Sequence, residues 1–183
     1  GFDRRHLLIV GGSLGAHALN KFMVEMLPVL KKAGVSIRHQ TGVRDEPVVK
    51  EAYARAGYDP SCVTAFINDM PGAYSWADLV LCRAGASTVA ELCGAGVPSI
   101  LVPYPYAAGD HQTGNARALE QAGAAVLFQE KSLSASFLGG TITGLFGEPD
   151  RLAMMSRAAL GLARCDAASR VADQIEAVAV KRQ

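Results

Sequence analysis

The chain has 183 residues, enough for one compact core but not for two domains of ordinary size. Its 18 Lys and Arg against 17 Asp and Glu leave a net charge of +1, which lacks the cationic surplus of a dedicated nucleic-acid binder and excludes that class. Hydrophobic residues make up 50% of the chain, too many for a disordered segment. No run approaches the ~18 apolar residues of a spanning helix, so the composition is that of a soluble globular domain.

In chain order, 7–10 is a short continuous apolar run closed by Gly11-Gly12, the pattern of a strand buried on both faces. Leu19, Phe22, Met23, Met26, Leu27 and Leu30 then recur at helical spacing, which predicts an amphipathic helix over 16–32 that Pro28 kinks or ends early. Strands are predicted over 35–40, 62–66, 79–82, 99–102 and 125–128. Helices are predicted over 46–56, 70–76, 87–93 and 112–122, and three more over 135–146, 151–163 and 167–180. Regular alternation of strand and helix means right-handed parallel crossovers, hence a doubly wound α/β sheet. Ligands of such sheets sit beyond the carboxyl ends of the strands, where helices begin.

The cysteines, Cys62, Cys82, Cys93 and Cys165, are widely spaced, without a Cys-x-x-Cys pair or a zinc-type cluster. They read as reduced thiols of a cytosolic protein, and no segment has the signal-peptide pattern. The chain opens on Gly1-Phe2 without Met, and its first strand pattern starts at His6. A segment upstream is therefore expected to be missing.

Three strand-to-helix junctions carry polar or glycine-rich motifs. The first is Gly11-Gly12-Ser13-Leu14-Gly15-Ala16. Its glycines let the backbone turn sharply, and the free amides of the next helix favour an anion. It matches neither the dinucleotide fingerprint nor the phosphate loop of nucleotide hydrolases, and a tight turn without a ligand explains it equally well. The second is Arg83-Ala84-Gly85-Ala86-Ser87-Thr88-Val89-Ala90-Glu91. Thr88 and Glu91 have the spacing of a capping box, so Glu91 serves either a backbone amide or, as a carboxylate facing a ligand, the two hydroxyls of a ribose. Arg83 is either a phosphate partner or a solvated side chain. The third runs from Pro103 to Ala116 and carries Asp110, His111, Gln112 and Asn115 at a helix start. These groups suit sugar hydroxyls and an acetamido group; the purely structural reading makes Asp110 an N-cap. Elsewhere His17 reads as a surface or packing residue, His6 and His39 have no obvious partner, and Trp76 and Tyr74 read as core.

Together the glycine turn, Phe66-Ile67-Asn68-Asp69-Met70, the stretch from Cys82 to Glu91, and Asp110-His111-Gln112 with Asn115-Ala116 stand in the order, and at about the spacing, of one family. Over essentially its whole length the chain resembles the C-terminal, donor-binding half of the MurG family. These are bacterial transferases that move N-acetylglucosamine from UDP-N-acetylglucosamine onto undecaprenyl-pyrophosphoryl-N-acetylmuramoyl pentapeptide. The resemblance implies a Rossmann-like domain over 1–183, one half of a GT-B glycosyltransferase fold, whose N-terminal acceptor-binding half is absent.

Residue by residue, the resemblance sets Ser13 against the diphosphate and the backbone of Ile67 against the uracil, with Met70 beside it. Ala86, Ser87 and Thr88 line the diphosphate and nucleotide pocket, and Glu91 holds the ribose hydroxyls. His111 (where many members have Gln), Gln112 and Asn115 face the N-acetylglucosamine, and Arg83 lies near the phosphates or the acceptor. Leu14 replaces a Gln of some members, so no side-chain contact is carried over there. The implied chemistry is an inverting displacement without a metal or cofactor, in keeping with the lack of an Asp-x-Asp motif. The catalytic base, the acceptor site and the membrane-contacting patch belong to the other half. This chain is thus expected to bind donor without transferring the sugar alone, within an enzyme peripheral to the cytoplasmic face of the inner membrane. Rival readings are another GT-B UDP-sugar enzyme or 2-epimerase, the donor subunit of a two-chain transferase, and a non-catalytic scaffold domain.

Overall fold

A computed structural model describes residues 2, 4–11 and 16–164. Ser13 and Leu14, Cys165 and the helix expected over 167–180 lie outside the described residues. Within them, β1 (His6–Val10), β2 (Ser36–Gln40), β3 (Val63–Thr64), β4 (Leu79–Cys82), β5 (Ser99–Leu101) and β6 (Ala125–Leu127) form one parallel sheet in the order β3-β2-β1-β4-β5-β6. This is the Rossmann strand order, and its topological switch point falls between β1 and β4. The central strands β1 and β4 are buried on both faces, which is why their sequences read as unbroken apolar runs.

Side chains alternate between the two faces. Leu7, Ile9, Leu79, Leu81 and Ile100 pack with α1 (His17–Lys32), α2 (Glu46–Arg55) and α6 (Ala135–Phe146). Leu8, Val10, Val80, Cys82 and Leu101 pack with α3 (Met70–Trp76), α4 (Ala86–Ala95) and α5 (His111–Gln121). The last described helix, α7 (Pro149–Gly161), gives Leu152 and Met155 to the first cluster and Ala159 to the second.

Two expectations need correction. Pro28 does not end α1, which continues to Lys32. Pro28 is on the solvent side, whereas Leu19, Met23, Met26, Leu27 and Leu30 are buried. Burying those side chains at about 1.5–3 kcal/mol each outweighs the ~3 kcal/mol cost of an internal proline. The third strand is shorter than 62–66, because a 3-10 turn over Pro60–Cys62 precedes it at the sheet edge.

His6 and His39 also turn out to have partners. His6 Nδ1 lies 2.9 Å from the Trp76 carbonyl, and its ring stacks on half-buried Trp76 at 4.3 Å. His39 is fully buried, 3.0 Å from Asn20 Oδ1 through Nε2 and 2.9 Å from the Tyr53 hydroxyl through Nδ1. Asn20 Oδ1 only accepts, so Nε2 carries the proton and the Tyr53 hydroxyl donates to Nδ1. The chain of bonds continues from Asn20 Nδ2 to the Thr41 carbonyl at 3.1 Å and to Asp45 Oδ2 at 2.7 Å. Burial pushes the His39 pKa down from 6.5 to about 3, the Asp45 charge opposing it more weakly.

Candidate functional site

The helix starts distinguish one part of the carboxyl edge. α3 and α6 have side-chain caps, Asp69 accepting from the Gly72 amide at 2.9 Å and Ser134 from the Phe137 amide at 3.3 Å. α2 and α7 carry Glu46 and Asp150 in their first turns. In contrast, among the described residues α1 and α4 have neither a side-chain cap nor an acidic residue in the first turn, and α5 has no side-chain cap on its amides. These three helices follow β1, β4 and β5, which are neighbours in the sheet. Amides without a side-chain partner are thus gathered at the switch point, with the Asp110 carboxylate at the start of α5, an arrangement suited to an anion at α1 and α4.

At the start of α4 the N-cap position is Gly85, so Thr88 is the third helical residue and the capping box that its spacing to Glu91 allowed does not form. Glu91 instead accepts a hydrogen bond from the Tyr74 hydroxyl at 2.8 Å. Burial and this carboxylate both raise the Tyr74 pKa, so the phenol remains a donor. Ala86 and Ser87 are exposed, Thr88 is half-buried, and Glu91 is exposed, leaving its carboxylate open to a further partner. Beneath it, burial first and then the Glu91 charge push the Cys82 thiol up to about 12, which makes it unreactive at neutral pH.

The loop before α5 is a site of backbone strain. Gly109 has φ 59° and Asp110, a residue with a side chain, has φ 52°. Such an outlier costs on the order of 1–3 kcal/mol and must be held by its surroundings. Asp110 does occupy the N-cap position, but its carboxylate accepts from the Thr113 hydroxyl at 2.6 Å rather than from an amide. His111 Nδ1 lies 2.6 Å from the Ala108 carbonyl. Gln112 Oε1 accepts from the Tyr104 amide at 2.9 Å, and Asn115 Nδ2 donates to the Ala84 carbonyl at 3.0 Å. α5 is thereby tied to the junction after β4. Arg83, expected beside phosphates or acceptor, is turned into the protein, donating to the Val102 and Pro103 carbonyls at 3.0 and 3.2 Å.

Ile67 and Met70 flank the start of α3. Ile67 is half-buried and lines a groove of about 470 Å³ with Phe66, Thr64, Trp76 and Arg38. The groove runs along β2 and β3, and the Arg38 guanidinium rests 4.6 Å from the Trp76 ring centroid. Among the described residues no group of three or more His, Cys, Asp and Glu is placed to hold a metal ion. Motif reading missed Tyr74, the partner of Glu91 seventeen positions away. It also missed Glu130, whose carboxylate lies 2.5 Å from Arg83 Nη2. Neither carries a local sequence signal, since each is brought in by packing of distant elements.

The chain has clear relatives among known proteins. Residues 6–176 match the glycosyltransferase family 28 C-terminal domain. The chain is 50% identical over 169 residues to the UDP-N-acetylglucosamine--N-acetylmuramyl-(pentapeptide) pyrophosphoryl-undecaprenol N-acetylglucosamine transferase of Nitratidesulfovibrio vulgaris strain DP4, covering 92% of this chain and 46% of the relative. It is 52% identical over 171 residues to the protein of the same name from Lawsonia intracellularis, covering 93% and 47%. The crystal structure of Acinetobacter baumannii MurG superposes with a TM-score of 0.82 at 40% identity, over 94% of this chain and 49% of that one. The chain therefore spans about half the length of the curated relatives it matches.

Proposed function

Given that this chain belongs to glycosyltransferase family 28, as its C-terminal domain, we propose that it is the donor-binding half of an N-acetylglucosaminyltransferase. The substrate is UDP-N-acetylglucosamine, and the acceptor is the lipid-linked muramoyl pentapeptide of peptidoglycan synthesis. The observation that carries this reading is the set of uncapped helix starts after the adjacent strands β1, β4 and β5, with an exposed carboxylate one turn into α4. A diphosphate lies over the amides of Ala86, Ser87 and Thr88 and against Ser13, and the Glu91 carboxylate accepts from both ribose hydroxyls. The uracil lies against the backbone of Ile67 with Met70 beside it, and the sugar faces His111, Gln112 and Asn115.

In this reading the reaction is an inverting displacement at the anomeric carbon, forming the bond to the acceptor hydroxyl as the bond to UDP breaks. The departing diphosphate gathers negative charge, which fixed amides stabilise without reorganising. The proton of the acceptor hydroxyl goes to a base in the N-terminal half. That half also supplies the acceptor site and the contact with the cytoplasmic face of the membrane. No helix of the described residues is long and apolar enough to cross a membrane.

The test is calorimetric titration of this chain with UDP-N-acetylglucosamine, UDP and GDP, repeated on Glu91→Ala with its melting temperature checked. The expected result is saturable binding that prefers uridine and weakens about tenfold or more in the variant, the loss of a charged hydrogen-bond acceptor. Equal binding of GDP, or an unchanged affinity in a folded Glu91→Ala, refutes the assignment.

A further inference from the structure

Arg83 joins three parts of the carboxyl edge. Nη1 donates to the carbonyls of Val102 and Pro103 at 3.0 and 3.2 Å, and Nη2 lies 2.5 Å from Glu130 Oε2. The guanidinium sits 5.5 Å from the Tyr104 ring centroid, and only 14% of the side chain is exposed. One residue after β4 thus grips the chain beyond β5 and the turn beyond β6. From there a single bond reaches the site, the Tyr104 amide donating to Gln112 Oε1 at 2.9 Å. With its oxygen held by this bond, the Gln112 amide turns its two N–H donors and the remaining lone pair of Oε1 in directions that follow the position of Tyr104.

We propose that Arg83 is a positioning residue for sugar selectivity: by fixing the chain from Val102 to Tyr104 it aims the Gln112 amide, and so decides which hexose the site accepts. This rests on the donor-binding reading above. It differs from a phosphate-binding role, because both terminal nitrogens of Arg83 already have protein partners and Glu130 neutralises its charge. Arginine fits the task because its rigid planar fork holds two carbonyls and a carboxylate from two separate nitrogens, whereas a lysine ammonium offers its donors from a single flexible point. Selectivity between sugars rests on matched polar groups, so a misaimed amide loses discrimination.

The experiment titrates this chain with UDP-N-acetylglucosamine, UDP-glucose and UDP, in the parent, Arg83→Gln, Arg83→Lys and the double variant Arg83→Gln/Glu130→Gln. The double variant leaves no buried carboxylate unpaired if the single one folds poorly. The preference for UDP-N-acetylglucosamine over UDP-glucose is expected to fall about tenfold in each Gln variant, with affinity for UDP itself falling less than about threefold. Arg83→Lys is expected to recover little of the preference. UDP affinity falling tenfold with the sugar preference intact would make Arg83 a phosphate ligand and overturn the proposal, as would variants that match the parent throughout. A parent that binds UDP but does not discriminate between the sugars overturns the proposal alone. A parent that does not bind UDP overturns the donor-binding reading beneath it as well.

Discussion

Acidification from pH 7 to pH 5 is expected to cost the fold about 2 kcal/mol through His39 alone. The ring is buried, donates to Asn20 and accepts from Tyr53, and has no room for a second proton without breaking the latter bond. Its pKa is about 3 in the folded chain against an ordinary 6.5. The unfolded chain therefore takes up a proton that the native state refuses, so stability is full above pH 6.5 and declines as the pH falls towards 3. At about 1.36 kcal/mol per pH unit below 6.5, the loss at pH 5 is roughly 2 kcal/mol. Asp45, whose pKa is lowered below 3.8, acts in a separate window: its stabilisation is lost only as the pH falls through and below that range. Urea denaturation at pH 7, 6 and 5 of the parent and His39→Gln isolates the histidine, because the other groups are common to both. The variant is expected to be less stable at pH 7 and to show about 2 kcal/mol less decline by pH 5. Equal declines in the two proteins would refute the reasoning, as would a His39 ring resonance that titrates near pH 6.5 in the folded chain.

Two further outcomes follow from single contacts. Tyr74→Phe removes the hydroxyl that Glu91 accepts from and is expected to lower stability by about 1 kcal/mol and UDP affinity several-fold, since the carboxylate loses its anchor; thermal melting and calorimetry check both. Gly96 closes α4 in the left-handed conformation at φ 63°, with a would-be Cβ 2.6 Å from Leu160 Cγ, whereas Gly94 lies inside the same helix with nothing within 4 Å. Gly96→Ala is expected to destabilise by about 1–2 kcal/mol, half-exposed Leu160 swinging aside to relieve the clash, and Gly94→Ala to stabilise by about 0.5–1 kcal/mol. Melting temperatures moving the same way for the two substitutions would contradict this reading of the helix end.

The parts of this fold legible in its sequence are those set by neighbours along the chain. The unbroken apolar runs of β1 and β4 mark strands covered on both faces, and Asp69 before Met70-Pro71 marks the start of α3, whose amides it caps. Glycines and polar residues immediately after strands pointed to the carboxyl edge, because in parallel sheets that edge is where helix starts collect. Pro28 misled, since a local rule about helix ends was outweighed by burial on the opposite face of α1. The spacing of Thr88 and Glu91 left a capping box open, and the structure removes that alternative, because a capping box needs its first member at the N-cap and Gly85 holds that place.

What tertiary structure decided is which long-range partner each polar side chain takes. Glu91 meets Tyr74, Arg83 meets Glu130, and His39 meets Asn20 and Tyr53 only because adjacent strands bring their flanking elements together. A carboxylate, a guanidinium or an imidazole has the same sequence signature whether it faces water, a ligand or a buried partner. Its identity fixes which bonds it can make, and packing selects among them by leaving unpaired buried groups too costly to keep.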